Sequence, residues 1–235
     1  MRLALIVSYF ERPDLLDLCM TAIEMQTRKP DELIIIDDGS EIPPPFKGNR
    51  YIRHEHVGFR KDRLANRAIA ETDCDYLVFL DQDCIVQPNF LQIHEAIAKP
   101  NYYICAMYTS LTKEETRTVV KESIEDQSIW QQITRAYGGY PHVWCGAGSA
   151  VWRKDALAVN GFDNRLGLVG PDINFGLRLS RLGLGWDHFS YYSRYLHLWH
   201  EKPYALNSVD KANALFHARE WAKEGARTPF GIETA

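Results

Sequence analysis

The stretch YLVFLDQDCIVQPNF, residues 76–90, decides how the chain is read: an apolar run ends abruptly in two aspartates, Asp81 and Asp83, one residue apart. An uninterrupted apolar run is the pattern of a strand covered on both faces, as in a parallel sheet. Carboxylates at i and i+2 lie on the same side of an extended chain and repel. They call for a shared positive charge, and a divalent cation is the obvious candidate.

The pattern recurs upstream. LALIV (3–7) and ELIIIDDGS (32–40) read as further buried strands, YIRHEHV (51–57) as a short third one, and the proline-rich EIPPPFKGN between them as a loop. Pro13 opens a helix with Leu15, Leu18, Cys19, Ala22 and Ile23 on one stripe, ended by Arg28, Lys29 and Pro30; RLANRAIAET (63–72) is a second helix with Leu64, Ala65, Ala68 and Ile69 inward. The order β-α-β-β-α-β predicts a Rossmann-like, mostly parallel twisted sheet with helices on both faces, whose ligands sit outside the carboxyl ends of the strands. Asp37, Asp38, Asp81 and Asp83 all fall there.

The second half is less regular. Residues 112–139 begin with a capping box at Thr112 and Glu115 and predict one or two helices stopped by Gly138 and Gly139. A glycine-rich loop, a strand at Ser149 to Trp152 and a short helix follow. Then come a helix from Asp172 to Gly183, an aromatic strand region through His200, and an amphipathic helix around Ala212 to Trp221.

The chain has 235 residues, 46% hydrophobic and 25% charged, which suits one globular α/β domain. Its 27 basic and 31 acidic residues leave a net charge of −4, which argues against a nucleic-acid partner bound by bulk charge. Five scattered cysteines without CxxC spacing suggest a reducing compartment and buried thiols. With no signal-peptide core and no long apolar segment, a cytoplasmic protein is expected.

Strand-end aspartates also commonly cap helices and close turns, so DDGS alone stays ambiguous. Arg60, Lys61, Arg63 and Arg67, at a loop that becomes a helix N-terminus, suit a diphosphate, although a solvated helix face could hold the same charges. Trp144, Trp152, Trp186 and Trp199 could stack on sugars or simply fill core and cleft walls.

Six segments, SYFERPDLL, IIIDDGS, GFRKDRLANRAI, YLVFLDQDCIVQPNF, VNGFDNRLGLVGPDINFGLRLSRLG and HLWHEK, resemble in order those of GT-A family 2 type glycosyltransferases. The similarity is greatest to the galactosyltransferase-related branch of chondroitin polymerase and polypeptide N-acetylgalactosaminyltransferases, over roughly residues 3 to 203. It implies a GT-A α/β fold: residues 1–100 the nucleotide-binding half, 101–205 the acceptor and catalytic half, 206–235 a carboxy-terminal helix. It also implies a metal-dependent inverting transferase carrying a sugar (galactose, N-acetylgalactosamine or similar) from a UDP-sugar donor to a glycan or polysaccharide acceptor, with Mn²⁺ or Mg²⁺ as cofactor.

Carried over residue by residue, Ser8, Tyr9 and Glu11 would line the nucleotide pocket, and Asp37 or Asp38 would recognise uracil and ribose. Arg60, Arg63 and Asn66 would shape the base and diphosphate side. Asp81 would touch the ribose or a metal-bound water, with Gln82 beside it, while Asp83 and His200 would bind the metal. Asp172 would be the general base. On a strand His197 and His200 would diverge, so one ligand and one packing residue are expected, and Asp172 could equally be a helix N-cap.

The usual GED is here GPD, with Pro171 in place of a glutamate, and Asn174 replaces an acidic residue. A nucleotide-sugar-binding or glycan-binding relative without turnover therefore stays open, as does peripheral attachment at the inner face of a membrane. A flavodoxin-like phosphoacceptor domain would need only about half this chain.

Overall fold

The computed structural model describes residues 1–133, 144–189, 194–201 and 206–234. In chain order these form β1 (Leu3–Tyr9), α1 (Pro13–Glu24), β2 (Glu32–Asp37), β3 (Arg50–Arg53), α2 (Lys61–Glu71), β4 (Tyr76–Asp81), β5 (Cys84–Val86), α3 (Phe90–Ile97), β6 (Tyr102–Ala106) and β7 (Tyr108–Ser110). Then follow α4 (Lys113–Thr116), α5 (Lys121–Glu125), α6 (Ile129–Gln132), β8 (Ser149–Trp152), α7 (Arg153–Ala158), α8 (Pro171–Arg181), β9 (Gly185–Phe189), β10 (Tyr195–His197) and α9 (Ser208–Lys223).

Among the described residues the main sheet has the order β3-β2-β1-β4-β8-β6-β9. β1 runs parallel to β2 and β4, and β2 parallel to β3, while β8 is antiparallel to both its neighbours. The unbroken run in β1 has a simple cause. Leu3, Leu5, Val7 and Tyr9 pack on one side of the sheet with Leu15, Leu16, Cys19, Met20 and Ile23 of α1. Ala4 and Ile6 pack on the other with Leu64, Ala65, Ala68 and Ile69 of α2 and Phe175 and Leu179 of α8. Each fully buried aliphatic side chain stabilises the fold by about 1.5–3 kcal/mol, so both faces must be apolar.

Parallel register brings the strand ends together: Ser8 of β1 lies beside Asp81 of β4, and Tyr9 beside Asp37 of β2. A small sheet, β5-β10-β7, completes the site side of the fold. In it His197 pairs with Cys84, which sets the histidine next to the neighbour of Asp83.

Three expectations change. The region after Thr112 is broken into α4, α5 and α6, each of four or five residues, while Gly138 and Gly139 lie outside the described residues. α1 stops at Glu24, ahead of Arg28. α9 is not amphipathic in its packing: it buries Ala218 and Ala222 and leaves Val209 and Phe216 exposed. Small side chains let it approach α8 closely. The cysteines are free; Cys145 is half-buried and the other four are buried. No helix among the described residues is long and apolar enough to cross a membrane.

The loop between α7 and α8 carries no secondary structure, and several of its backbone polar groups are satisfied by side chains. Asn66 of α2, fully buried, accepts from the Phe162 N–H at 2.7 Å and donates to the Phe162 carbonyl at 2.9 Å and to Asn164 Oδ1 at 3.0 Å. Gly161 is required there: its φ is +68°, and a Cβ would stand 2.0 Å from Asn66 Oδ1. Arg178 of α8, also fully buried, donates to the carbonyls of Val159 and Gly161 at 2.7 and 2.5 Å. Asn66→Ala should cost about 2–4 kcal/mol in urea denaturation, because buried groups lose their partners as well as volume. The exposed neighbour Arg63→Ala should change stability by no more than about 0.5 kcal/mol. Equal effects would contradict the structural role given to Asn66.

Candidate active site

The two aspartates of DQD have different hydrogen-bond partners. Asp81, at the last position of β4, accepts from the Ser8 hydroxyl and from Lys61 Nζ at 2.7 Å. Burial alone would raise its pKa, but Lys61 and the two hydrogen bonds outweigh it and hold Asp81 below the ordinary carboxylate value. Asp83, two residues on, has turned into the connection to β5. It meets His200 Nε2 at 2.9 Å and His197 Nε2 at 3.6 Å. One ligand atom from each of these three residues lies within 4.8 Å of the others.

Both histidines therefore reach Asp83, where strand alternation allowed only one. β10 ends at His197, and the Leu198 N–H bonds to the Asp83 carbonyl at 2.8 Å, so residues 197 and 200 are not on one extended segment. His200 Nδ1 sits 2.9 Å from the Glu201 carbonyl, an arrangement in which Nδ1 donates and Nε2 faces Asp83. The hydrogen bond to Asp83 raises the pKa of His200. A carboxylate with two imidazoles is a mixed O/N donor set that fits Mn²⁺ better than Ca²⁺.

The DDGS turn separates its two aspartates. Asp37 is fully buried and spent on structure: Ser40 donates its N–H and hydroxyl to one oxygen at 2.9 and 2.7 Å, and Tyr51 donates to the other at 2.5 Å. Asp38 instead lines the main cavity. It accepts from His54 Nε2 at 2.7 Å and from the Arg60 N–H at 3.1 and 3.0 Å. Burial raises its pKa against the opposing pull of those donors. Gly39 makes the turn possible, with φ +81° and a Cβ that would stand 2.4 Å from the His56 nitrogen.

Glu11 fixes the loop after β1 to the loop after β2 by accepting from the N–H groups of Glu41 and Ile42. Tyr9 donates to the Ile42 carbonyl at 2.7 Å, and Gln82 grips Phe10 through both its N–H and its carbonyl at 2.9 Å.

A cavity of about 500 Å³ is lined by Ser8, Tyr9, Asp38, Lys61, Asp81, Gln82, Asp83, His197 and His200, with Phe59, Leu168 and Val169 as apolar wall; Glu11 and Asp37, held in their turns, do not line it. Of the basic cluster, Lys61 is the member that faces it. α2 begins at Lys61, and residues 61, 64, 65 and 68 share one helical face; Arg63 falls on the opposite, exposed side, and Arg60 contributes its N–H. Arg63 and Asn66 do not reach the cavity, the second because it clamps Phe162. Lys211 of α9 also lines it, which no local motif signalled.

Behind the cavity a recess of about 10 Å³ is lined by Ser8, Lys61, Asp62, Asp81, Gly146 and Asp172, among others. Asp172 sits in the first turn of α8, whose N-cap is Gly170, so the alternative capping role is filled by another residue. Burial raises the Asp172 pKa, with Asp81 adding to the rise and Lys61 and the nearby Gly146 N–H opposing it.

The sequence model of glycosyl transferase family 2 matches residues 4–159, which is β1 through α7. The chain belongs to this family. Comparison with curated proteins gives no match. Among solved structures, the mannosyltransferase PcManGT from Pyrobaculum calidifontis, in complex with GDP-Man and Mn²⁺, is similar with a TM-score of 0.65 and 16% identity. The similarity covers 97% of this chain but 66% of that one, and it shows the shared GT-A fold.

The family match ends before Asp172, His197 and His200, so in this glycosyltransferase those residues stand on geometry. Geometry also explains the two departures in GPD and Asn174. Pro171 occupies the first helical position of α8, where its missing N–H costs nothing. Asn174 is fully buried, donates to the Ala218 carbonyl at 2.9 Å and accepts from Arg178 Nε at 2.7 Å; an aspartate has no N–H for Ala218. Asn174 thus serves the docking of α9.

Mn²⁺ titration followed by electron paramagnetic resonance tests the trio. Asp83→Ala should abolish binding, and His197→Ala should weaken it at least about tenfold. Wild-type affinity in His197→Ala would leave His200 as the sole histidine ligand.

Proposed function

We propose that this glycosyltransferase is a metal-dependent inverting enzyme that transfers a sugar, galactose, N-acetylgalactosamine or a similar one, from a UDP-sugar to a hydroxyl of a glycan or polysaccharide acceptor. One observation carries the reading: the Asp83, His197 and His200 trio faces the same cavity as Lys61 and Asp81, with Asp172 in the recess that shares Ser8, Lys61 and Asp81 with that cavity. The neighbour's bound GDP-Man and Mn²⁺ support a nucleotide sugar and a divalent ion here.

In this reading Asp38 accepts the N–H of the base. Its carboxylate already accepts His54 and the Arg60 N–H, the latter on both oxygens, from about four lone-pair positions. That leaves room for the single ring N–H of uracil rather than for the paired donors of guanine, which favours UDP. Lys211 supplies positive charge to the cavity, and Lys61, by neutralising Asp81, removes a carboxylate charge that would repel the diphosphate. Mn²⁺ held by Asp83, His197 and His200 would act as a Lewis acid on the departing diphosphate. Phe59, Leu168 and Val169 restrict water at the reacting centre. Asp172 takes the acceptor hydroxyl proton; its raised pKa brings it nearer the working pH, where a general base is most effective. Attack on the face opposite the diphosphate inverts the anomeric carbon.

Transfer from a panel of UDP-sugars and GDP-mannose to glycan acceptors tests this. Asp172→Asn should lower kcat by about 10²–10⁴ while leaving donor affinity within about threefold. Transfer undiminished in Asp172→Asn would remove the base assignment, and binding without transfer in the wild type would favour the non-catalytic relative.

A further inference from the structure

The recess behind the cavity holds a carboxyl group that the mechanism above does not use. Asp62, the second residue of α2, is 6% exposed and lines the recess with Asp172, Gly146, Lys61 and Asp81. Three carboxylates, Asp62, Asp81 and Asp172, line the recess with one lysine, and Asp38 lies in the adjoining cavity. Lys61 is committed to Asp81 at 2.7 Å, Asp38 has His54 and the Arg60 N–H, and Asp172 has the Gly146 N–H and the charge of Lys61 nearby. Among the described residues no hydrogen bond reaches the Asp62 carboxylate. A buried carboxylate without a donor, sharing a recess with two others, is the one that holds a proton.

We propose that Asp62 is a positioning residue for Asp172: its carboxyl stays protonated and donates, through one water held in the recess that both line, toward the Asp172 carboxylate. The pair then carries one proton and one charge, the arrangement in which two neighbouring carboxyl groups divide into a donor and a base. The donated bond fixes the direction in which Asp172 presents its free oxygen to the cavity. Burial first, then the charge of Asp172, push the pKa of Asp62 up to about 8, with Asp38 and Asp81 adding and Lys61 opposing. The N-terminus of α2 favours the ionised form by less than about one pH unit, too little to reverse this.

The proposal rests on Asp172 being the base, and two readouts keep the claims apart. Infrared difference spectroscopy of the Mn²⁺-loaded protein should show a protonated-carboxyl band at pH 7 that disappears as pH rises through about 8 and is missing in Asp62→Asn. This needs no turnover. In transfer assays, Asp62→Leu should lose about 10- to 100-fold in kcat with donor KM little changed, and Asp62→Asn, which restores a neutral donor of the same shape, should recover most of it. The wild-type kcat should fall above pH about 8 as Asp62 ionises, and this limb should be absent in Asp62→Asn. No such band, or the same alkaline limb in both proteins, would overturn the proposal and leave the base assignment intact. An active Asp172→Asn would instead remove the base assignment, whatever the band shows.

Discussion

Parallel strands end at one edge of a sheet, so the acidic residues that terminate β2 and β4 are forced into reach of one another, and each must find its own partner. The solution is a division of labour. Asp37 goes under its turn, to Ser40 and Tyr51. Asp38 takes His54 and a backbone N–H. Asp81 takes Lys61 and Ser8, and Asp83 takes the two histidines delivered by β10 and the turn after it. Because Asp81 is neutralised by a side chain of the fold, Asp83 is the member of DQD most available to a metal. The rest of the site depends on that separation: it puts Asp83, His197 and His200 on one side of the cavity and Lys61 on the other, and the recess lined by Asp172 adjoins Lys61 and Asp81.

What the sequence made legible follows from local rules. Strand identity in β1, β2 and β4 rests on continuous apolar runs, and those runs exist because both faces are covered. The strand-end carboxylates follow from the same rule, since a parallel sheet presents its carboxyl edge to ligands. Lys61 is readable from α2, because it lies on the face of Leu64, Ala65 and Ala68 while Arg63 and Arg67 point away from it. His197 was not readable, because strand alternation ceases to apply once β10 ends. Asn66 carries the same polar chemistry as a ligand-binding residue, and only its contact with Phe162, far along the chain, assigns it to structure.

The carboxy-terminal third works as scaffold for the loop that leads into Asp172. Asn160 and Asn164 bond to Thr228 and Gly231, and Asp163 accepts from Arg165 and Thr228. Arg178 and Asn174 join α8 to that loop and to α9. These ties span long sequence separations and use polar side chains without periodicity, which is why no local pattern announces them. They also give Asn174 its role: the position serves the packing of α9.

The central claim is that the carboxyl edge of this sheet binds a nucleotide through a divalent ion. Calorimetric titration of the wild-type protein with UDP and with GDP, each with and without Mn²⁺, tests it most directly. The account expects UDP to bind in the presence of Mn²⁺ and to lose most of its affinity without it, with GDP weaker under both conditions. Binding that ignores Mn²⁺, or no binding of either nucleotide, would contradict it.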